Sequence, residues 1–146
     1  MPTYFLKYTN LTINKNIKQK IAKTITKIHK KNTGANSFFA QVLFEKNNSK
    51  NHFMGGKLVK TSEIFIFGNI RGGRTSKVKQ NMIIEFRNEV SKILRISRDK
   101  VWIYLADLHY NQMMEYGEIL PKAGKEKEWL NSLSKSLKKK LKKIGY

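Results

Sequence analysis

Cysteine is absent from the 146 residues, which removes disulfides, thiolate-bound metals, iron–sulfur clusters and a cysteine nucleophile together. Proline occurs only twice, and acidic residues number ten. Long apolar runs are missing too: no segment approaches the roughly 20 residues that span a bilayer. Met1-Pro2-Thr3-Tyr4-Phe5-Leu6 lacks the basic start and continuous apolar stretch of a signal peptide. A metal-binding spacing of the His-Glu-x-x-His type and a catalytic Ser-His-Asp signature are also lacking, and Gly55-Gly56-Lys57 has leucine where a phosphate loop needs serine or threonine. No metal and no cofactor is expected. The reading is one compact domain over 1–146, located in the cytoplasm, whose chemistry must use other side chains.

The scarcity of acid is what makes the charge conspicuous. Thirty Lys plus Arg against ten Asp plus Glu give +20, and such an excess makes nucleic acid or an anionic membrane surface a legitimate partner class. The lysines are spread along the chain, however, and asparagine is abundant, a pattern that genome-wide base bias also produces. Charge by itself leaves a polyanion partner and a solvated surface that attracts small anions both open.

An internal repeat organises the chain. A shift of 61 positions lays Ile17-Lys18-Gln19 on Val78-Lys79-Gln80, Thr3-Tyr4-Phe5-Leu6 on Ile64-Phe65-Ile66-Phe67, and Ala40 to Phe44 on Val101 to Leu105. Copy one spans about 2–45 and copy two about 63–106, each reading strand, loop, helix, strand. Ile17, Ile21, Ile25 and Ile28 recur at helical spacing over about 16–29, as do Val78, Met82, Phe86, Val90 and Ile93. Two βαβ units predict an α+β (α/β) fold: a four-stranded mixed sheet with two helices on one face. Its open edges and bare second face are covered most simply by self-association into a ring of subunits. Between the copies, the stretch 46–60 reads as turns with a short strand near 52–54, and 113–120 as a turn or short helix. In the tail, 129–146, Leu130, Leu133, Leu137, Leu141 and Ile144 share one helical stripe among lysines, a basic amphipathic helix.

Four features carry chemistry. Pro2 becomes a terminal secondary amine once Met1 is removed; an α-amino group titrates at about 7.7–8.0, so its surroundings decide whether it acts as base or acid. It is equally able simply to open a strand. Arg71-Gly72-Gly73-Arg74 follows a strand, and two guanidiniums separated by glycines can converge on one carboxylate; a flexible basic loop is the alternative. His29 stands near the end of the first helix, where a histidine also interacts with the helix dipole. Glu115, one of ten acids, can activate water if it shares a small cavity with a phenol such as Tyr104, or can be a surface turn acid.

Taken in order, these residues resemble the cis-3-chloroacrylic acid dehalogenase branch of the tautomerase superfamily. The resemblance runs through Met1-Pro2-x-Tyr4, Ala22-Lys23-x-Ile25-Thr26-x-x-His29, Thr33-Gly34, Ala40-Gln41-Val42-x-Phe44, Gly55-Gly56 and Ile64-Phe65. It continues in Arg71-x-Gly73-Arg74, Trp102-x-Tyr104, Gln112-Met113-x-Glu115-Tyr116-Gly117 and Leu120-Pro121. It implies a tautomerase-like homotrimer with an essential Pro2, carboxylate-binding Arg71 and Arg74, an additional substrate-binding His29, and Tyr104 with Glu115 as the water-activating pair. Phe38, Phe39, Trp102 and Leu120 match or adjoin apolar wall positions of the pocket. The implied activity is hydration or dehalogenation of 3-substituted acrylates, or keto–enol tautomerisation, on a small carboxylate substrate. The competing expectation, from charge, is a basic module that binds nucleic acid or an anionic membrane through its lysine-rich surface and tail.

Overall fold

The structure, a computed structural model, describes residues 2–145. Strand β1 (Thr3–Thr9), helix α1 (Lys15–Thr33), strand β2 (Gln41–Lys46) and a hairpin of β3 (Phe53–Met54) and β4 (Lys57–Leu58) form the first half. The second half repeats this order as β5 (Glu63–Arg71), α2 (Ser76–Leu94), β6 (Val101–Leu108), β7 (Met114–Glu115) and β8 (Glu118–Ile119). Helices α3 (Glu126–Ser132) and α4 (Lys135–Ile144) follow. The main sheet runs β2-β1-β5-β6, with parallel outer pairs and an antiparallel centre. This is the four-stranded mixed sheet expected, with both helices on one face.

Helix boundaries follow from their caps. The Asn14 side chain accepts from the Ile17 N–H at 2.9 Å and that of Thr75 from the Val78 N–H at 3.3 Å, satisfying one of the donors every helix start leaves unpaired. At the other end α1 stops where Gly34 turns left-handed at φ 71°. The helix is thus longer than the expected 16–29 at both ends, and His29 lies inside its final turns.

The repeat reaches further than the sequence pattern indicated, because both hairpins obey the 61-residue shift: Met54 corresponds to Glu115 and Leu58 to Ile119. One element breaks it. Thr3 stands opposite Gln41 and Phe65 opposite Trp102, so β1 maps onto β5 with a shift of 62, Thr3 onto Phe65. The connection leaving β1, residues 10–14, is one residue longer than its counterpart 72–75. A one-residue slip turns every side chain to the other face. The expected superposition of Tyr4 on Phe65 and Leu6 on Phe67 is therefore corrected to Tyr4 on Ile66 and Leu6 on Gly68.

Tyr4, Leu6 and Tyr8 of β1 and Ile64, Ile66 and Ile70 of β5 point towards Ile21, Ile25 and Ile28 of α1 and Met82, Phe86 and Val90 of α2 to make the core. Gly68, opposite Tyr4, leaves room for its ring: a Cβ there would come within 2.6 Å of it. The other face of the sheet carries Leu43, Trp102 and Tyr104, each between 42% and 57% exposed.

Two local expectations change. Residues 113–120 form a hairpin, since Tyr116 and Gly117 both adopt positive φ (56° and 83°), the requirement of a tight two-residue connection. The tail is two helices, because the Ser134 side chain accepts from the Leu137 N–H at 3.3 Å and starts a new one. Leu133 and Leu141 are buried with Ala35, Phe38, Phe39 and Leu120 in a second, smaller core. The apolar stripe of the tail thus packs on the body, with Ile144 left exposed; residue 146, where the expected helix ended, lies outside the described residues. No helix among the described residues is long and apolar enough to cross a membrane.

Candidate active site

Pro2 is buried directly ahead of β1, and its carbonyl accepts from the Gln41 N–H at 3.0 Å. Met1, whose removal the sequence reading requires, lies outside the described residues. Antiparallel pairing brings the start of β1 beside the end of β5, where Arg71 and the loop to Arg74 begin. The pairing of the central strands therefore places Pro2 and two guanidiniums at one end of the sheet.

Beside them, the Tyr4 hydroxyl and His29 Nδ1 are 2.7 Å apart in the core. Burial, reinforced by the charges of Arg74 and Arg71, pushes the His29 pKa down to about 3, and burial raises the Tyr4 phenol well above its ordinary value. Both groups are neutral at physiological pH. In the tautomer where the phenol O–H donates to Nδ1, the imidazole proton stays on Nε2 as the ring's remaining donor. His29 is thus a neutral group beside the guanidiniums rather than a third cation.

Arg71 is 2% exposed. Its Nη1 donates to the Pro121 carbonyl at 2.9 Å, and its Nη2 forms an ion pair with Glu126. The Nε atoms of Arg71 and of half-buried Arg74 are buried without a hydrogen-bond partner. A buried N–H left unpaired costs about 1–3 kcal/mol, so two such donors on neighbouring guanidiniums are strong attractors for an anion. Burial, with Arg71 alongside, lowers the pKa of Arg74. Burial would raise the Glu126 carboxyl, but the hydrogen bond and charge of Arg71 and the backbone N–H donors of Glu126 and Gly124 together outweigh it and hold the pKa below the usual range.

Next to Pro2, a cleft of about 560 Å³ is lined by Thr3, Phe38, Phe39, Gln41, Glu115 and Tyr116, among others. The hairpin turn presents Glu115 to this cleft, and the Tyr116 hydroxyl fixes the hairpin by donating to the Phe38 carbonyl. Phe38 and Phe39 pack at a tilt of 45° with centroids 4.2 Å apart, and Phe39 also meets Trp129 at 5.6 Å. Leu120 is buried behind them. Pro2, His29, Arg71, Arg74, Glu115, Phe38, Phe39 and Leu120 thus gather at one end of the molecule.

Tyr104 and Trp102 do not join them within one protomer. Tyr104 stands opposite Phe67 on β6, two strands from β1, and is 57% exposed with its ring edge-on to Phe65. Trp102 donates from Nε1 to Glu63 at 2.9 Å at the opposite end of the sheet. Two residues of the site escaped the sequence reading. Tyr4 was visible only as part of the motif Met1-Pro2-x-Tyr4, and Glu126 only as a rare acid in a lysine-rich tail. Among the described residues no group of three His, Asp or Glu side chains stands together to hold a metal ion.

Residues 1–133 match the family described as "Putative oxalocrotonate tautomerase enzyme". Among solved structures, the chain is similar to N1, a member of the cis-3-chloroacrylic acid dehalogenase (cis-CaaD) family, with 27% identity and a TM-score of 0.92 over 97% of this chain and 99% of that one. It also resembles a fused 4-OT wild-type symmetric trimer (15% identity, TM-score 0.74, 83% of this chain and 97% of that one). A further likeness is to Pt0534 inactivated by 2-oxo-3-pentynoate (15% identity, TM-score 0.73, 81% and 94%). At 15% identity the likeness concerns the fold. No curated protein matches the chain by sequence.

Proposed function

The chain belongs to the oxalocrotonate tautomerase family matched over residues 1–133, and on that premise we propose that it is an amino-terminal-proline enzyme acting on a small unsaturated or enolisable carboxylic acid. The observation that carries this reading is the pair of buried, unpartnered Nε donors on Arg71 and Arg74 beside Pro2. A substrate carboxylate satisfies both, takes a third hydrogen bond from His29 Nε2, and is drawn to the cationic site in a low-dielectric setting where such bonds are strongest.

With the carboxylate so held, electron density is withdrawn from the β-carbon. Glu115 takes a proton from water, whose oxygen bonds to that carbon, while protonated Pro2 delivers a proton to the α-carbon. A 3-haloacrylate would give a halohydrin, which loses halide and a proton to become an aldehyde acid. With an enol or keto acid, the same nitrogen moves a proton between oxygen and carbon, and no water is consumed. Tyr104 acts in this scheme from a neighbouring subunit: it is exposed on the bare sheet face and far from Pro2 of its own chain, and a trimer like that of the fused 4-OT relative would supply it.

The test uses protein processed to begin at Pro2, assayed on 3-haloacrylates and on enol or keto acids, with the Pro2 nitrogen titrated by NMR. Turnover is expected in the wild type and is expected to vanish in Pro2→Ala. A nitrogen that titrates above neutrality assigns hydration, and one at or below neutrality assigns tautomerisation. Unchanged turnover in Pro2→Ala would overturn the proposal.

A further inference from the structure

The guanidinium pocket contains an anion of its own. Glu126 begins α3 and pairs with Nη2 of Arg71, while the Pro121 carbonyl accepts from Nη1. The loop between these two residues lies against the arginine loop, so that a Cβ on Gly73 would sit 3.7 Å from that of Ala123. Both terminal nitrogens of Arg71 thereby have a protein partner, and its Nε has none.

The charge count follows from these contacts. Arg71 and Arg74 contribute two positive charges, Glu126 removes one, and His29 is neutral. Of the other charged groups, Asp107 pairs with Lys79 at 2.6 Å and Lys125 with Glu128 at 2.7 Å, and in the hydration reading protonated Pro2 and the Glu115 carboxylate add one charge of each sign. The two arginines with Glu126 therefore leave one net positive charge for an incoming anion. A single carboxylate neutralises it. A second carboxylate would bring an uncompensated negative charge into a site where Arg71 is almost fully desolvated, which is costly.

We infer that Glu126 is a specificity-determining residue that sets the charge of the anion pocket and makes it select monocarboxylates over dicarboxylates. The inference rests on the reading of Arg71 and Arg74 as the carboxylate site. Glu126 touches Arg71 rather than the substrate, so it acts through the guanidinium it holds.

Titration calorimetry with acrylate and maleate, on the full chain at neutral pH, tests it. The wild type should bind acrylate more tightly than maleate. Glu126→Gln keeps the shape and an acceptor oxygen but removes the charge, and should shift the acrylate-to-maleate affinity ratio towards maleate by about tenfold or more. Glu126→Asp, which keeps the charge, should preserve the wild-type preference. A wild type that prefers maleate overturns the inference without recourse to any variant. So does a Glu126→Gln protein in which both anions tighten or weaken equally, the result expected of a merely structural or competing carboxylate. If neither anion binds the wild type, the carboxylate site itself fails and the inference with it; if both bind and the ratio is unmoved, only the inference fails.

Discussion

The two ends of the sheet are built by the same duplicated elements, yet only one of them carries the residues of the proposed active site. At the far end, a cavity of about 510 Å³ is lined by Asn47, His52, Met54, Ile64 and Trp102 among others. Five of its lining positions correspond through the repeat to Leu108, Met113, Glu115, Pro2 and Gln41 at the proposed active site. Where the first end has Pro2, Tyr4, His29 and Glu115, the second has Ile64, Ile66, Val90 and Met54. The position matching Arg71 is Thr9, which is buried and meets His52 Nδ1 at 2.9 Å. Ile64 lies mid-chain and can never offer a free amine. The repeat supplies two similar clefts, and side-chain identity sets the proposed active site apart from the other.

The sharpest way to break this comparison is at the matched pair Glu115 and Met54. Glu115→Gln is expected to lower kcat by about 10²–10⁴-fold, the usual contribution of a general base, whereas Met54→Leu should leave kcat unchanged; steady-state kinetics of both variants decides it. Next in size is the scaffold, where the halves should behave alike. Ile25→Ala and Phe86→Ala, fully buried and matched through the repeat, should each cost about 2–5 kcal/mol in urea unfolding. A large inequality between them would mean that one half folds as a lesser partner.

The smallest effect concerns His29 against Val90. The folded-state pKa of His29 is depressed to about 3, so between about 6.5 and that value the unfolded chain binds a proton that the folded chain refuses. Its contribution is fully present above the unfolded pKa and is lost as pH falls, by about 2 kcal/mol at about pH 5. His29→Gln should flatten that part of the stability-versus-pH curve, and Val90→Ala should lower the curve without changing its slope there.

Much of the scaffold was legible because apolar periodicity is a local signal. Ile21, Ile25 and Ile28 had to face a core at helical spacing, and a strand–helix–strand order repeated twice leaves few topologies. The one-residue offset of β1 was not legible, because hydrophobic residues occupy both faces of β5: Phe65 and Phe67 look as fit for the core as Ile64 and Ile66. The hairpin at 113–120 was missed for a related reason, since its strands are two residues each and carry no period. The break in the tail was written only in Ser134, a single cap inside an otherwise continuous leucine stripe.

The sequence by itself determined the two βαβ units, the residues of the helical core, the charge excess, and which residue types could take part in acid–base and carboxylate chemistry. Those are properties of near neighbours along the chain and survive any arrangement in space. The tertiary structure alone decided that Glu126 pairs with Arg71, that Tyr4 hydrogen-bonds His29, and that Tyr104 lies beyond reach of its own Pro2. Each joins or separates residues distant in sequence, and whether such groups meet depends on strand register and burial, which no local pattern encodes.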